Sequence, residues 1–108
     1  MNLDVRIKAA LAGICGVIVP QVYTGTATEY IVFNYSEYPL EFADNAPHTV
    51  GYSIQVHLFV PLKANPNTMK TSIQNALFTA GFSYPSIQDV TDDEGQHYVF
   101  QTEFEELI

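Results

Sequence analysis

The sequence contains no tryptophan, a single cysteine and only four basic residues. The scarcity of cysteine and of basic residues excludes some kinds of fold and partner. The lone Cys15 cannot close a disulfide within the chain, so the fold does not depend on oxidation. Twelve acidic residues against four basic ones give a formal charge of −8. Phosphate backbones and anionic membrane surfaces would repel such a chain. We therefore expect a protein that binds neither nucleic acid nor a membrane.

Motifs of catalytic and metal-binding proteins are also missing. The three histidines, His48, His57 and His97, lack the spacing of zinc ligands, and one cysteine supplies no second thiolate. The acidic run 92–94 lacks the ligand spacing of a calcium loop. We expect no catalytic residues, no metal and no cofactor. An enzyme hypothesis would need His57, His97 and an acid to converge in a cleft.

The chain does have material for one hydrophobic core. Its 108 residues suit a single domain over 1–108, and 47% of them are hydrophobic, with seven tyrosines and seven phenylalanines. Acidic residues concentrate in two stretches, 29–44 and 89–106, which contain no lysine or arginine. Such surfaces keep a chain dissolved, face a basic partner or let a polyanion pass.

Helical periodicity first occurs near the N-terminus, over residues 2 to about 11. Asn2 can cap this helix through its side-chain oxygen, and Gly13 is a typical residue just beyond a helix end. Apolar residues recur on one face, which predicts an amphipathic helix packed on a core: Leu3, Ile7, Ala10, Leu11 and Ile14.

A second helix is predicted from about Pro66 to Ala80. Asn65 is suited to the N-cap position and Pro66 to the first helical position. At the other end, Gly81 can adopt the left-handed conformation, which places Phe82 for a Schellman-type contact back onto the helix. Its predicted buried stripe is Met69, Ile73, Ala76, Leu77 and Ala80.

Two apolar stretches between the helices predict strands at 30–35 and about 50–60. The second alternates in period two, so alternate residues share one face: Tyr52, Ile54, Val56, Leu58 and Val60. The connection 36–49 contains two prolines and is long for a hairpin loop. It is a functional or interface-forming loop, a mobile loop, or an elongated hairpin that extends past the core.

Two further strands are predicted at 86–91 and about 96–105. An acidic turn at 92–95 joins them, with Gly95 suited to a G1 bulge. Residues 16–20 are expected to form only a brief extended piece. The predicted order is α-β-β-α-β-β, and the predicted fold class is α+β, with a four-stranded antiparallel sheet and two helices packed on one face.

Five segments, which are spread over residues 30–104, share a likeness with one family: Tyr30–Pro39, Phe42–Asn45, Tyr52–Phe59, Ile73–Phe82 and His97–Phe104. They resemble the small tail-completion, or tail-terminator, proteins of long-tailed phages and prophages of Gram-positive bacteria. The resemblance implies an α+β subunit of a homo-oligomeric, hexameric ring at the head–tail junction of the virion, assembled in the cytoplasm of the host bacterium.

In the role that the resemblance implies, the ring caps the tail tube, ends its polymerisation and joins the tail to the head. Its partners would be the major tail tube protein and a head-completion or connector protein, while DNA passes through without specific binding. The family has no short signature that fixes interface residues. The long connection and the acidic turn supply the candidates: Tyr38, Glu41, Phe42, Asp44, Asp92, Asp93 and Glu94.

Two other functions fit the same sequence. A head–tail connector or stopper protein would share the virion location but grip the portal side of the junction. A small cytosolic α+β domain with a ligand pocket would instead remain monomeric, which a measurement of mass in solution distinguishes from a ring.

Overall fold

In the computed structural model, residues 2–43 and 46–107 are described, with side chains described outside 41–48 and 107. This part of the chain is α+β, as predicted. Its helices and strands follow one another in this order: α1 (Leu3–Leu11), β1 (Ile18–Pro20), β2 (Tyr30–Ala43), β3 (Ala46–Val60), α2 (Asn67–Thr79), β4 (Ser86–Asp89) and β5 (Gln96–Leu107).

The sheet differs from the predicted four-stranded antiparallel one, because it is mixed and has five strands in the order β1-β2-β3-β5-β4. The four predicted strands are all present and pair antiparallel. The fifth is β1, which pairs parallel to the start of β2. There the Ile31 N–H donates to the Val17 carbonyl at 2.8 Å. The extended piece expected at 16–20 therefore becomes an edge strand.

One face of the sheet packs against both helices, as predicted. The period-two residues of β3 point to this face, and Ile54, Val56 and Leu58 are fully buried. They form one cluster with Ile73 of α2 and with other helix residues. We call this side the covered face. Its other members are Leu3, Ile7, Leu11, Ile31, Phe33, Val60, Leu77, Phe82, Tyr98 and Phe100.

Helix α1 begins and ends where the sequence predicts. The Asn2 side-chain oxygen accepts the Asp4 N–H at 2.9 Å, and Gly13 follows the helix with a φ of 87°. The Tyr35 hydroxyl donates to Asp4 Oδ1 at 2.7 Å, which ties the first turn to β2. This hydrogen bond is the main reason that the pKa of Tyr35 rises to about 12.

Helix α2 begins one residue later and ends one residue earlier than predicted, with Ala80 as its C-cap. Pro66 occupies the N-cap position, and the Asn65 side-chain oxygen accepts the Asn67 N–H at 3.1 Å. At the other end, Gly81 has a φ of 102°, and the Phe82 N–H donates to the Leu77 carbonyl at 3.0 Å. This is the Schellman arrangement, and it returns the Phe82 ring to the core.

The long connection predicted at 36–49 is wrong as a loop, because most of it is strand. β2 continues to Ala43 and β3 begins at Ala46, and their pairing runs through Ser36 with Ser53 and Leu40 with Thr49. Of the three possibilities for this segment, the elongated hairpin is therefore the one observed. We call residues 36–43 and 46–53 the arm.

The arm extends the molecule beyond its helices. The principal extents are 55 × 26 × 23 Å, and the Cα radius of gyration is 15.1 Å. A compact chain of this length would have a radius of gyration of about 13 Å. β5 accompanies the arm only on one side, pairing with β3 as far as Thr49.

The acidic turn between β4 and β5 lacks the predicted G1 bulge. In the described chain, the glycines with positive φ are Gly13 and Gly81, so Gly95 does not adopt the required conformation. The Asp92 carboxylate holds the turn instead. Its Oδ1 accepts the Glu94 N–H at 2.9 Å and the Gly95 N–H at 3.3 Å.

Candidate functional site on the open face of the sheet

The face of the sheet opposite the helices, which we call the open face, carries a row of partly buried rings. Tyr30 pairs across the strands with Phe59, and Phe59 pairs with His97. Their ring centroids lie 4.7 Å and 4.1 Å apart, with nearly parallel planes. This stacking follows from the sheet, whose strands lie about 4.8 Å apart. We call the row the ring ladder: Tyr23, Tyr30, Phe59, His97 and His57.

Tyr23 joins the ladder from the segment between β1 and β2. Gln21 in this segment has a φ of 65°, a left-handed conformation that is uncommon for a residue with a side chain. The chain then places the Tyr23 ring 4.6 Å from Tyr30. The Tyr23 hydroxyl accepts the Ala27 N–H at 2.9 Å, which fixes the ring over the open face.

His57 and His97 converge, as the sequence allows. His57 Nδ1 lies 2.9 Å from His97 Nε2, and the Asn34 side-chain nitrogen lies 3.3 Å from His57 Nε2. With the Asn34 amide as donor, His57 accepts at Nε2 and donates from Nδ1 to His97. This arrangement requires both rings to be neutral.

Burial is the first cause of a lowered pKa for each histidine. For His57, the neighbouring His97 lowers the pKa further. For His97, Asp92 opposes the effect by raising the pKa. No carboxylate hydrogen-bonds to either ring among the contacts of the described residues. Asp92 acts on His97 through its charge and not through a hydrogen bond to the ring.

Two cavities flank the ladder and share the rings of Tyr30, Phe59 and His97. One has a volume of about 390 Å³ and is lined further by Tyr23, Asn34 and His57. The other has a volume of about 400 Å³ and lies between the 60–62 segment and the acidic turn. We call the second one the acidic-side cavity.

The acidic turn brings two of its three predicted interface residues to this cavity. Asp92 and Glu94 line it, whereas Asp93 is exposed on the same turn and does not. The opposite wall is held by Gln96, whose side-chain nitrogen donates to the Pro61 carbonyl at 2.9 Å and the Ala64 carbonyl at 2.8 Å.

Among the interface residues predicted on the long connection, Tyr38 lies away from this cavity. Tyr38 belongs to β2, eight residues beyond Tyr30, which is roughly 26 Å at about 3.3 Å per residue. Glu41 and Phe42 are also in β2, with side chains outside the described part, and Asp44 lies outside the described residues. The structure does not bring Tyr38 together with the acidic turn.

Tyr38 has a local partner in the arm. It pairs across the strands with Gly51, and a Cβ atom at Gly51 would lie 2.4 Å from the Tyr38 ring. The ring therefore covers the bare backbone of β3. Burial is the first cause of its raised pKa, and Glu103 and Glu105 raise it further.

Sequence reasoning missed the ladder as a unit. The enzyme hypothesis named His57 and His97 as residues that would have to converge, but the sequence did not indicate the parts of Tyr23, Tyr30 and Phe59. The only available signal was that Phe59 falls on the polar side of the period-two pattern, where a large ring is unusual.

The described residues contain neither a cluster of metal ligands nor a helix that could span a membrane. No group of three or more His, Cys, Asp or Glu side chains in this part of the chain is placed to hold a metal ion. Neither α1 nor α2 has the length and apolar character to span a lipid bilayer.

No model of a known protein family matches the sequence. No curated protein sequence matches it significantly either.

Proposed function

We propose that this chain is a structural protein of a phage virion, which caps the tail tube as a ring, ends tail polymerisation and joins the tail to the head connector. The proposal rests on the resemblance of the sequence to tail-terminator proteins and on one structural observation, the arm. It assigns the protein no bond-breaking step, no metal and no cofactor.

The arm supports the proposal because a ring subunit needs surfaces that reach its neighbours. β1 pairs only with residues 31–33 of β2, and β4 pairs only with residues 98–101 of β5. The outer edge of the arm therefore has no strand partner among the described elements. Pro39 and Glu37 on this edge oppose the addition of another strand. We expect neighbouring copies to contact the arm through side chains.

The charge of the chain is compatible with the passage of DNA. A ring of subunits that each carry a formal charge of −8 would repel the phosphates instead of holding them. The partners in this proposal are identical copies, the major tail tube protein and the head-completion or connector protein. The location is the head–tail junction of the virion.

Deletion of the gene from its phage or prophage, followed by electron microscopy, tests this function. We expect abnormally long tails, or tails without heads, and rescue by the full chain supplied in trans. A variant in which residues 38–50 are replaced by a short turn should not rescue, whereas Lys8→Gln, at an exposed position of α1 outside the predicted interface, should. Particles of normal length and infectivity without the gene would overturn the proposal.

A mass measurement provides a second test. Light scattering of the purified protein at high concentration should give a species at six times the chain mass of 12.0 kDa. A chain that stays monomeric under these conditions would favour the small ligand-binding domain, for which the acidic-side cavity is the supporting observation. A ring found on the portal side of a labelled junction would favour the connector or stopper.

A further inference from the structure

We propose that the acidic-side cavity binds a basic side chain, an arginine or a lysine, of a partner protein. The proposal goes beyond the function above and does not depend on it, because it concerns the chemistry of one surface. It commits to a charged and partly apolar group, not to a nucleic acid, a metal or a second acidic chain.

The cavity is large enough for one long side chain. Its volume of about 400 Å³ lies in the range of small-ligand sites, about 300–1,000 Å³. Its apolar lining comes from Tyr30, Phe59 and the segment Val60–Leu62. Arginine and lysine combine an apolar stem with a charged end, so the stem can lie on this lining while the charge remains near water.

The charge of the cavity selects a cation. Asp92 and Glu94 contribute two carboxylates to the lining, and no lysine or arginine lines it among the described residues. The two other ionisable groups among the described lining residues are Tyr30 and His97. Burial lowers the pKa of His97, which favours its neutral ring. The site therefore presents negative charge over an apolar floor, which matches a basic side chain.

The stacking of the rings leaves the carboxylates as the groups that attract a cation. The flat sides of Tyr30, Phe59 and His97 are largely occupied by one another, because these rings stack along the sheet. Their free edges carry partial positive charge and do not attract a cation. We therefore expect binding to depend on Asp92 and Glu94 more strongly than on the ring of Phe59.

The walls of the cavity are held in place before any ligand enters. Gln96 fixes the 61–64 segment through hydrogen bonds to its carbonyls. Asp92 Oδ1 fixes the turn by accepting two backbone N–H groups, which leaves its second oxygen for a ligand. Preformed walls reduce the entropy lost on binding.

Titration of the ¹⁵N-labelled protein with Nα-acetyl-arginine amide, followed by NMR, tests the proposal. We expect shifts concentrated at the amides of Thr28, Leu62, Gly95 and His97. The neutral analogue Nα-acetyl-citrulline amide should bind about tenfold more weakly, since it keeps the shape and loses the charge. Binding of the arginine compound should weaken as salt is added.

Substitutions in the turn provide the matched controls. Asp92→Asn with Glu94→Gln removes both charges but keeps the oxygen that holds the turn, and it should weaken binding about tenfold. Asp93→Asn removes one charge from the same turn outside the cavity and should weaken binding much less than the double variant does.

Three results would overturn the proposal. They are the absence of localised shifts at saturating probe concentrations, equal binding of the citrulline compound, and undiminished binding by the double variant. Since these turn residues are exposed, the variants should fold. A Phe59→Leu variant, expected to lose binding less than the double variant does, checks that the carboxylates dominate.

Discussion

The two faces of the sheet are built from the same strands and differ in what lies over them. On the covered face, Phe100 and Ile54 are fully buried beneath two helices. On the open face, Phe59 and His57 are only partly buried and touch mainly their ladder neighbours. A contiguous row of rings that no helix covers is a common place for a partner to bind. The covered face therefore accounts for stability, and the open face is the place to look for binding.

The largest expected effect on stability comes from truncating a buried side chain on the covered face. Phe100→Ala should lower the free energy of unfolding by about 3–5 kcal/mol, because it leaves a cavity beneath the helices. The matched change Phe59→Ala should lower it by less than about 2 kcal/mol, because that ring is partly in water already. Urea unfolding monitored by tyrosine fluorescence measures both. Equal losses would contradict the distinction between the faces.

A smaller effect is expected from a polar contact on the covered face. The buried Thr102 hydroxyl donates to the Ser83 carbonyl and lies 3.0 Å from the Ser83 hydroxyl. Thr102→Val should cost about 1–3 kcal/mol, because it leaves the carbonyl without this donor. On the open face, Ser53→Ala removes only the bond from Gln101 and should change stability by about 0.5 kcal/mol or less. The same urea measurement compares them, and a neutral Thr102→Val would contradict this role.

The smallest effect concerns the pH response of the open face. The pKa values of His57 and His97 are lower in the folded chain than the ordinary value of about 6.5. The unfolded chain therefore binds more protons just below pH 6.5, so this contribution to stability is full above that pH and declines as the pH falls. Melting temperatures between pH 7.5 and 5 should decline more steeply for the natural chain than for a His57→Gln, His97→Gln variant. Parallel curves would exclude this pair as the cause.

Local patterns were sufficient to predict most of the covered face. The alternation from Tyr52 to Val60 identified the buried residues of β3, because strand periodicity fixes which side chains share a face. The end of α2 was predictable because Gly81 and Phe82 form a motif within a few residues. In both cases the interactions that decide the structure lie close together in sequence.

The arm was harder to foresee, because Pro39 interrupts the strand pattern. The structure accommodates Pro39 because of the direction in which the backbone N–H groups of β2 point. The Ile31 N–H points outward to Val17, so odd-numbered residues of β2 direct their N–H groups away from β3. Pro39 falls in this set, and its missing N–H removes no bond to β3. The same geometry protects the outer edge of the arm.

The candidate site was predictable only in part. The acidic residues Asp92 and Glu94 stand out in the sequence, and they line the cavity. The apolar side could not be derived, because Tyr30, Phe59 and His97 meet only through the register of three strands distant in sequence. Tyr38 lies apart from this site for a related reason, since the pairing of β2 with β3 carries it eight residues along the strand from Tyr30.

Gly51 has one more consequence for the arm. A strand residue without a side chain lets the backbone bend more easily than other residues do. At Gly51, the Tyr38 ring lies over the backbone in place of a side chain. The Tyr38 ring therefore limits bending of the projecting hairpin at this residue. We expect a small side chain at position 38 to make the hairpin more flexible there.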